Sequence, residues 1–340
     1  MVDDAAPWSS ARRVEWLRSV NAWLDDLLAP SDERCEALEP VKVRPWGAVL
    51  RAHTTARRLY VKAVGPRGRH EVRLLSDIAR RSPGLAPDVL AVHRDEGWLL
   101  MPDHGRAVVD VVDPVAQVAA IELLLPPYAA LQRACAPMVD DWIDAGVPDR
   151  SAPRLPALLD RLLAGHGDLG PVEVDDAEAH RCRSLLGELT EVCERLGGSA
   201  VPRSVDHADI HGWNVLVGEG APRLIDWGDA CITHPFTSLL VPIEWVVSTL
   251  PPEGQAHAVQ GLCDAYVEGW GSAVDRSLLG LAMWVGYVSR ALSNDEQCAG
   301  GSDEVERDGR REIAALLRTW VAKADRLDRP AELLEPMLEL

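Results

Sequence analysis

Three side chains with oxygen ligands stand in a fixed order between residues 207 and 229, a segment that reads HADIHGWNVLVGEGAPRLIDWGD. Asp209 comes first, Asn214 follows it by five positions, and Asp226 ends the apolar stretch beyond. Transfer of a phosphoryl group from ATP needs a carboxylate that orients the attacking hydroxyl and accepts its proton. It also needs oxygen ligands for Mg²⁺, which a neutral amide and a second carboxylate supply. The order of these groups therefore predicts phosphoryl transfer to a small molecule.

The chain around these groups has the pattern of a β-hairpin. Short apolar runs at 214–217 and 223–226 are separated by a turn that contains two glycines and a proline. Two such runs around a glycine-containing turn are typical of paired antiparallel strands. Because a hairpin folds back on itself, we expect Asn214 at its entrance and Asp226 at its exit to lie side by side.

Two other interpretations of this segment are open. His207, Asp209 and His211 form H-x-D-x-H, and two histidines four positions apart on a helix are able to bind zinc. Gly212 and Trp213 follow directly, which favours a loop over a helix, and the chain contains no H-E-x-x-H. In the plainest interpretation, the two aspartates are ordinary acids of a turn and a strand end.

The segment resembles the catalytic and metal-binding loops of the aminoglycoside phosphotransferase and choline kinase-like family, a branch of the protein-kinase fold. That family typically carries H-G-D-x-H-x-x-N-x-L followed by I-D-W/F, and here Ala208 stands in place of the glycine. The resemblance implies Asp209 as catalytic base and Asn214 and Asp226 as Mg²⁺ ligands. It covers about residues 38–245.

The chain departs from the family pattern after Asp226. The family usually has G-D-P and then an aspartate that braces the catalytic loop, whereas His234 and Ser238 occupy these two positions here. We therefore expect the bracing to differ. Asp229 either takes over part of that role or faces the acceptor.

The amino-terminal part offers a lysine and a glutamate for the phosphates. The whole chain has only three lysines, and Lys62 lies inside the strand-like run 58–64. A compact ammonium on a flexible stem suits contact with the α- and β-phosphates. Glu71, near the start of a helical pattern at 70–79, is placed to pair with Lys62. The alternatives are a lysine that points to water and an acid favoured by the helix dipole.

The remaining nucleotide contacts are predicted from two further segments. Residues 41–51 form two strands around a turn at 45–47, which the family would place over the phosphates, although no G-x-G-x-x-G is present. The apolar strand 97–101 breaks into a Pro/Gly segment that resembles the connector between two lobes. We expect the backbone of Met101 to bind adenine there; a plain strand end is the alternative.

The resemblance implies an α+β, bilobal protein-kinase-like fold with a small β-rich N-lobe holding one main helix and a larger, mostly α-helical C-lobe. We predict the N-terminal lobe at 1–102, opened by an amphipathic helix at 9–28 that Ser9 or Ser10 caps. The C-terminal lobe takes 103–340. Its predicted helical segments lie at 113–136, 153–164, 176–196 and, almost continuously, 236–340.

Composition restricts the partners and the compartment. The formal net charge of the 340 residues is −18, which makes nucleic acid and anionic membranes improbable partners. The seven cysteines are scattered and never form C-x-x-C, as expected of reduced thiols in the cytoplasm. We see no signal peptide and no apolar run of about 18 residues. The oligomeric state stays open.

The acceptor is the least defined part of the prediction. ATP or GTP would be the donor, and the acceptor a small molecule with a hydroxyl: an aminoglycoside or other antibiotic, choline, or a metabolite such as a sugar or homoserine. Asp229, Asp295 and Glu296 are the predicted acceptor contacts; an exposed helix end is the alternative for the last two. A nucleotide-binding scaffold that no longer transfers phosphate is the competing function, motivated by His234 and Ser238.

Overall fold

The computed structural model describes residues 6–9, 12–218, 220–271 and 274–334. Its strands are β1 (Cys35–Arg44), β2 (Gly47–Thr54), β3 (Arg58–Val64), β4 (Ala91–His93), β5 (Trp98–Pro102), β6 (Arg106–Ala107), β7 (Ser204–Asp206), β8 (Val215–Val217), β9 (Arg223–Leu224) and β10 (Cys231–Thr233). Its α-helices are α1 (Arg13–Leu28), α2 (His70–Arg81), α3 (Pro114–Cys135), α4 (Val139–Asp144), α5 (Leu155–Leu163), α6 (Asp176–Ser184), α7 (Leu186–Gly197), α8 (Leu240–Thr249), α9 (Pro252–Trp270), α10 (Ser277–Cys298) and α11 (Asp303–Lys323).

The amino-terminal region is a five-stranded antiparallel sheet in the order β1-β2-β3-β5-β4. Arg44 pairs with Gly47, so Pro45 and Trp46 form the turn between β1 and β2. A Cβ atom on Gly47 would lie 3.1 Å from the carbonyl oxygen of Ala63, which explains why a small residue follows the turn. The two strands predicted around this turn are confirmed.

Alternation along β3 sends its side chains to two different faces. Leu59, Val61 and Ala63 are buried in an apolar cluster with α1. The intervening Lys62 therefore points to the opposite face, where α2 packs. On that face, Leu99 of β5 belongs to a second cluster that also contains α2 and most of the carboxy-terminal helices. The sheet is thus covered on one side by α1 and joined on the other to the helical region.

The leading helix differs from its prediction at the amino terminus. α1 begins at Arg13, and Ser9 ends a short 3₁₀ turn instead. Ser9 is therefore not the cap of this helix, and Ser10 lies outside the described residues. Its amphipathic character is confirmed, because the helix buries a stripe of residues at helical spacing: Trp16, Val20, Leu24 and Leu28. Leu27, expected on the same face, is 38% exposed instead.

The carboxy-terminal region is mostly helical, as predicted. The predicted helices 113–136 and 153–164 are observed as α3 and α5. The segment 176–196 is two helices, because Leu185, with φ −92° and ψ 2°, ends α6 before α7 begins. The segment from 236 contains α8 to α11, separated by breaks such as Leu250–Pro251 and Ala299–Ser302; residues 335–340 lie outside the description.

α10 is the central helix of this region. It packs against α11, and Trp284 stacks on Trp320 with ring centroids 4.9 Å apart. Both rings are fully buried and anchor the core of this region. Trp245 is only partly buried and stacks instead on His211, close to the segment predicted to do chemistry.

Residues 114–144, which include α3, are long and apolar enough to cross a membrane by length and composition alone. Half of the most apolar window is buried inside the protein. α3 packs against α9 and contains the buried, hydrogen-bonded Gln132. These are the properties of a core helix.

Candidate active site

The hairpin predicted around Asn214 and Asp226 is present. β8 pairs with β9 in antiparallel register, with Val215 opposite Leu224. The backbone N–H of Ile225 donates to the carbonyl oxygen of Asn214 at 2.9 Å, which extends the pairing by one residue. The two predicted metal ligands therefore leave the same end of the hairpin.

Lys62 joins the sheet, α2 and this hairpin. Its ammonium donates to Glu71 Oε1 at 2.5 Å and to Asp226 Oδ1 at 2.6 Å. Burial alone would lower the pKa of Lys62, but the charges of Asp226 and Glu71 outweigh it and raise that pKa. The charge of Lys62 in turn holds the pKa of Asp226 well below its usual range. The structure thus brings together the three charged groups predicted to face the phosphates and the metal.

Asp226 has an unusual backbone and a second cation beside it. Its φ of +64° lies in the left-handed region, which aspartate tolerates better than most residues. The ammonium of Lys42, on β1, lies 3.4 Å from Asp226 Oδ2. Sequence reasoning gave Lys42 no role. The available signal was that it is one of only three lysines, placed just before the turn over the predicted phosphate site.

Asp209 lies on the loop between β7 and β8 with both carboxylate oxygens engaged. Oδ1 accepts from Arg290 at 2.9 Å, and Oδ2 accepts from Asn214 Nδ2 at 2.8 Å. His211 Nε2 lies 3.2 Å from the same Oδ2. Although burial acts to raise the pKa of Asp209, His211 and Arg290 lower it to about 2. Asp209 is therefore a carboxylate at neutral pH.

Arg290 and Asp229 complete this group. Arg290 Nη1 donates to Asp229 Oδ2 at 3.1 Å, so one guanidinium contacts both Asp209 and Asp229. Burial and the neighbouring carboxylates Asp209 and Asp226 raise the pKa of Asp229 to about 7 against the opposing charge of Arg290. Sequence reasoning missed Arg290, although it is the single charged residue between positions 277 and 294. A lone charge in an apolar helix was the signal that could have found it.

The loop that carries Asp209 is braced by Asp206, which sequence reasoning also missed. Its buried carboxylate accepts from the backbone N–H of Ala208 at 2.9 Å. It also accepts from the hydroxyls of Thr237 and Ser238, each at 2.6 Å. Where the resemblance predicts an acid near position 238, this chain has the hydroxyl of Ser238, and the carboxylate that it contacts is on the loop side. Burial lowers the pKa of His234 to about 3, so this residue is a neutral replacement for the other acid.

Buried polar groups hold the loop from behind. The backbone N–H of His207 donates to the hydroxyl of Tyr128 on α3 at 2.8 Å. The His207 Nε2 atom lies 2.9 Å from the carbonyl oxygen of Ile225, which ties the loop to the hairpin. Burial lowers the pKa of His207 to about 4, so the ring is neutral at pH 7. The helix, loop and hairpin are therefore fixed to one another.

The zinc interpretation finds no support in the described residues. Residues 207–214 form turns rather than a helix, so His207 and His211 do not share a helix face. Within the described ranges, no group of three or more His, Cys, Asp or Glu side chains is arranged to hold a metal ion. The amide oxygen of Asn214 and the carboxylate of Asp226 are oxygen ligands, and such a set suits Mg²⁺ rather than zinc.

The predicted adenine contact and two of the predicted acceptor contacts lie outside the group around Asp209 and Asp226. Met101 lies on β5 opposite Tyr60. Asp295 is buried, and its carboxylate accepts from the backbone N–H groups of Asp168 at 2.6 Å and Leu169 at 2.9 Å. Its neighbour Glu296 pairs with the buried Arg150 at 2.6 Å. Both acids thus have partners in the protein, and their role as acceptor contacts stays a prediction.

Solved structures share the fold at low identity. Macrolide 2'-phosphotransferase MphH from Brachybacterium faecium is 19% identical, with a TM-score of 0.54 over 87% of this chain and 97% of that chain. A choline/ethanolamine kinase family protein from Mesorhizobium loti is 17% identical, with a TM-score of 0.62 over 94% and 98%. A thermostable mutant of aminoglycoside phosphotransferase APH(4)-Ia, in complex with AMP-PNP and hygromycin B, is 14% identical, with a TM-score of 0.54 over 88% and 98%. These likenesses establish the kinase-like fold.

Family membership follows from the sequence. No curated protein matches the chain. The model of the phosphotransferase enzyme family, however, matches residues 46–275, which include the sheet from the β1–β2 turn onward, the catalytic loop and the hairpin. Because this match spans more than half of the 340 residues, the protein belongs to the phosphotransferase enzyme family and is a small-molecule kinase.

Proposed function

We propose that the protein transfers the γ-phosphoryl group of ATP or GTP to a hydroxyl of a small molecule, with Asp209 as the base. One observation carries the proposal. Asn214 donates to Asp209 at 2.8 Å, and Lys62 donates to Asp226 at 2.6 Å, with Asn214 and Asp226 at one end of the same hairpin. The groups required for phosphoryl transfer are thus assembled in one place.

In the proposed step, the acceptor hydroxyl oxygen attacks the γ-phosphorus while its proton passes to the carboxylate of Asp209. The bond between the γ-phosphorus and the bridging oxygen breaks, and the nucleoside diphosphate leaves. A carboxylate with a pKa of about 2 is a weak base. Its main contribution is therefore to orient the hydroxyl, as expected for a loose phosphoryl-transfer transition state.

The residues at the hairpin fit Mg²⁺. Asn214 Nδ2 donates to the carbonyl oxygen and to Oδ2 of Asp209, so Oδ1 is the atom that Asn214 offers to a cation. The carboxylate of Asp226 already attracts two ammonium groups, from Lys62 and Lys42, which shows how much positive charge this position favours. An amide oxygen and a carboxylate are ligands that Mg²⁺ accepts alongside phosphate oxygens. Bound there, Mg²⁺ would neutralise charge on the phosphates.

We place the nucleotide between an N-terminal lobe at 1–102 and a C-terminal lobe at 103–340. Lys62, held by Glu71, would contact the α- and β-phosphates, and the backbone around Met101 would bind the purine. One solved structure of similar fold contains AMP-PNP and another contains GDP, which supports a purine nucleotide as donor. All seven cysteines are free, in keeping with a reducing cytoplasm.

The proposed acceptor is an aminoglycoside or other antibiotic, or a metabolite. Structures of similar fold include a macrolide phosphotransferase, a complex with hygromycin B and an ethanolamine kinase. In this chain, Asp229 contacts Arg290, which also contacts Asp209, and it lies three positions after Asp226. A transfer screen over aminoglycosides, peptide antibiotics, sugars and amino alcohols would identify the class.

The variant that tests the base is Asp209→Asn. Turnover should fall by about 100-fold or more, the usual scale for a general base, while ATP binding is retained. Asp95→Asn, in an exposed turn of the sheet, is the matched control and should behave as wild type. Turnover of Asp209→Asn at the wild-type level would remove Asp209 from the mechanism.

The competing function is a nucleotide-binding scaffold that does not transfer phosphate, which the replacement of two acids by His234 and Ser238 suggests. The contacts of Asp206 with Ser238 and Thr237 argue against it, because they brace the loop that carries Asp209. Slow Mg²⁺-dependent hydrolysis of ATP by the purified protein would support the enzyme. ATP binding without hydrolysis, and without transfer to any member of the acceptor panel, would favour the scaffold.

A further inference from the structure

Arg290 makes three contacts with the two loops of the site from a single side chain. Its Nη1 donates to the carbonyl oxygen of Ala208 at 2.9 Å and to Asp229 Oδ2 at 3.1 Å. Its Nη2 donates to Asp209 Oδ1 at 2.9 Å. The planar fork of a guanidinium spreads these contacts over two nitrogens in a fixed geometry, whereas a lysine would have to reach all three acceptors from one nitrogen.

The helix that carries Arg290 is rigidly placed. α10 is buried from Leu278 to Ser289 and again at 291–295, and Trp284 stacks on Trp320 of α11. Arg290 itself is 19% exposed, and a cation in such surroundings is costly unless acids compensate its charge. Asp209 and Asp229 provide that compensation. The position of the guanidinium is therefore fixed by the core of the helical region.

The carboxylate of Asp209 is in turn fixed from two sides. Arg290 holds Oδ1 and Asn214 holds Oδ2, so rotation of the carboxylate breaks at least one hydrogen bond. Asp229 lies three positions after Asp226, on the segment that leaves the hairpin. The guanidinium thus connects the loop of the base with the loop of the metal ligand.

We propose that Arg290 is a positioning residue: it fixes the carboxylate of Asp209 and ties it, through Asp229, to the loop that carries Asp226. The proposal rests on the proposed role of Asp209 as base. Arg290 would act on the rate of transfer through the orientation of Asp209, without contact with the nucleotide. Its removal should lower kcat and leave the KM for ATP unchanged.

The first experiment measures Mg²⁺-dependent ATP turnover of Arg290→Ala and Arg290→Lys. Arg290→Ala should lower kcat by about 100-fold, since a displaced catalytic group costs about this much. Added guanidinium chloride at millimolar concentration should restore part of the activity of Arg290→Ala and none in Asp209→Asn. Arg290→Lys, which keeps the charge but loses the fork, should fall between Arg290→Ala and wild type. Arg276→Ala, at the start of the same helix and paired with Asp264 on the surface, is the matched control and should be unaffected.

The second measurement needs no activity. In thermal unfolding, Arg290→Ala, Asp209→Asn and the double variant form a cycle, and the proposal requires that the two effects are not additive. Additive effects, or a folded Arg290→Ala with wild-type kcat, would overturn the role of Arg290. A change only in the KM for an acceptor would assign Arg290 to substrate binding and also overturn it. Wild-type turnover of Asp209→Asn would instead contradict the role of Asp209 as base. The thermal-unfolding cycle would then still decide whether Arg290 fixes the side chain of Asp209.

Discussion

The carboxylate of Asp206 and the hydroxyl of Ser238 are joined by a hydrogen bond of 2.6 Å in the buried centre of the site. A second hydroxyl, from Thr237, donates to the same carboxylate at 2.6 Å. The resemblance predicts an acid after the hairpin, whereas here the acid is Asp206, on the loop side, and the two hydroxyls after the hairpin donate to it. The loop that carries Asp209 is therefore braced by a carboxylate of its own segment.

This contact predicts how the stability of the protein changes when the carboxylate and the hydroxyl trade positions. Ser238→Asp alone should destabilise the protein, because it places a second carboxylate against Asp206 in a buried position. Asp206→Ala should lower the free energy of unfolding by about 3 kcal/mol, the scale for lost hydrogen bonds to a buried charged group. The double variant Asp206→Ser/Ser238→Asp should recover part of the loss. Thermal unfolding measures the stability of all three variants. A double variant less stable than both single variants would show that the two side chains cannot trade positions.

The conformation of Ala208 predicts a stabilising substitution. Its φ of +61° lies in the left-handed region, which costs an alanine about 1 kcal/mol and a glycine little. Ala208→Gly should therefore raise the free energy of unfolding by up to about 1 kcal/mol. Ala107→Gly, at a partly buried position with φ −59°, is the matched control and should lower it. A lower melting temperature for Ala208→Gly would show that flexibility outweighs the relief of strain.

The buried ion pair of Lys62 predicts a strong dependence of stability on its partners. Lys62→Met leaves Glu71, which is 1% exposed, without its counterion and should cost about 3–5 kcal/mol. Lys62→Met/Glu71→Gln should be less destabilised than Lys62→Met, because the uncompensated charge is removed. Lys42→Met is the control: its side chain is 48% exposed, so the change should stay within about 1 kcal/mol. Chemical denaturation measures each value; equal losses for the single and double variants at position 62 would argue against the buried charge as the cause.

Three buried histidines should each make the protein less stable on acidification. Burial lowers the pKa of His70 and His207 to about 4 and that of His234 to about 3. Below the ordinary histidine pKa of about 6.5, the unfolded chain binds protons that the folded protein does not. The contribution of these histidines to the free energy of unfolding should therefore fall as the pH drops from about 6.5 towards 4, while Asp229, whose pKa is raised to about 7, binds its proton in the folded state and acts in the opposite direction.

His234→Asn tests this contribution. The slope of unfolding free energy against pH in that window should become shallower by about one proton. His257→Asn changes an exposed histidine and should leave the slope unchanged. The two variants are compared by denaturant titration at a series of pH values. An unchanged slope for His234→Asn would mean that His234 takes up its proton in the folded state.

The parts of the site that the sequence predicts are those encoded over short distances. Asp209, Asn214 and Asp226 lie within one segment, and the glycine-containing turn between apolar runs is enough to indicate the hairpin that places the last two together. Lys62 and Glu71 are nine positions apart, on a strand and the helix that follows. Their ion pair follows from alternation along the strand and the early position of the glutamate on α2.

Two of the residues that were missed reach the site from distant segments, whereas Asp206 is close to Asp209 in sequence but has its partners Thr237 and Ser238 beyond the hairpin. Arg290 is 81 positions from Asp209, and Lys42 is 184 positions from Asp226. Their roles depend on which face of α10 and of β1 is turned towards Asp209 and Asp226, and local periodicity does not specify this. The break at Leu185 was missed for a different reason, because the segment contains no proline and only one glycine, Gly187, to indicate it.

The two apolar clusters on either side of the sheet have a consequence for unfolding. Leu100 of β5 belongs to the cluster with α1, whereas its neighbour Leu99 belongs to the one that contains α2 and the carboxy-terminal helices. In hydrogen exchange, the amides of α2 should open together with those of α10 and α11 rather than with α1. Glu71 and Asp226 then lie within a single cooperative unit, so a local opening that frees α1 leaves the contact of Lys62 with both acids intact.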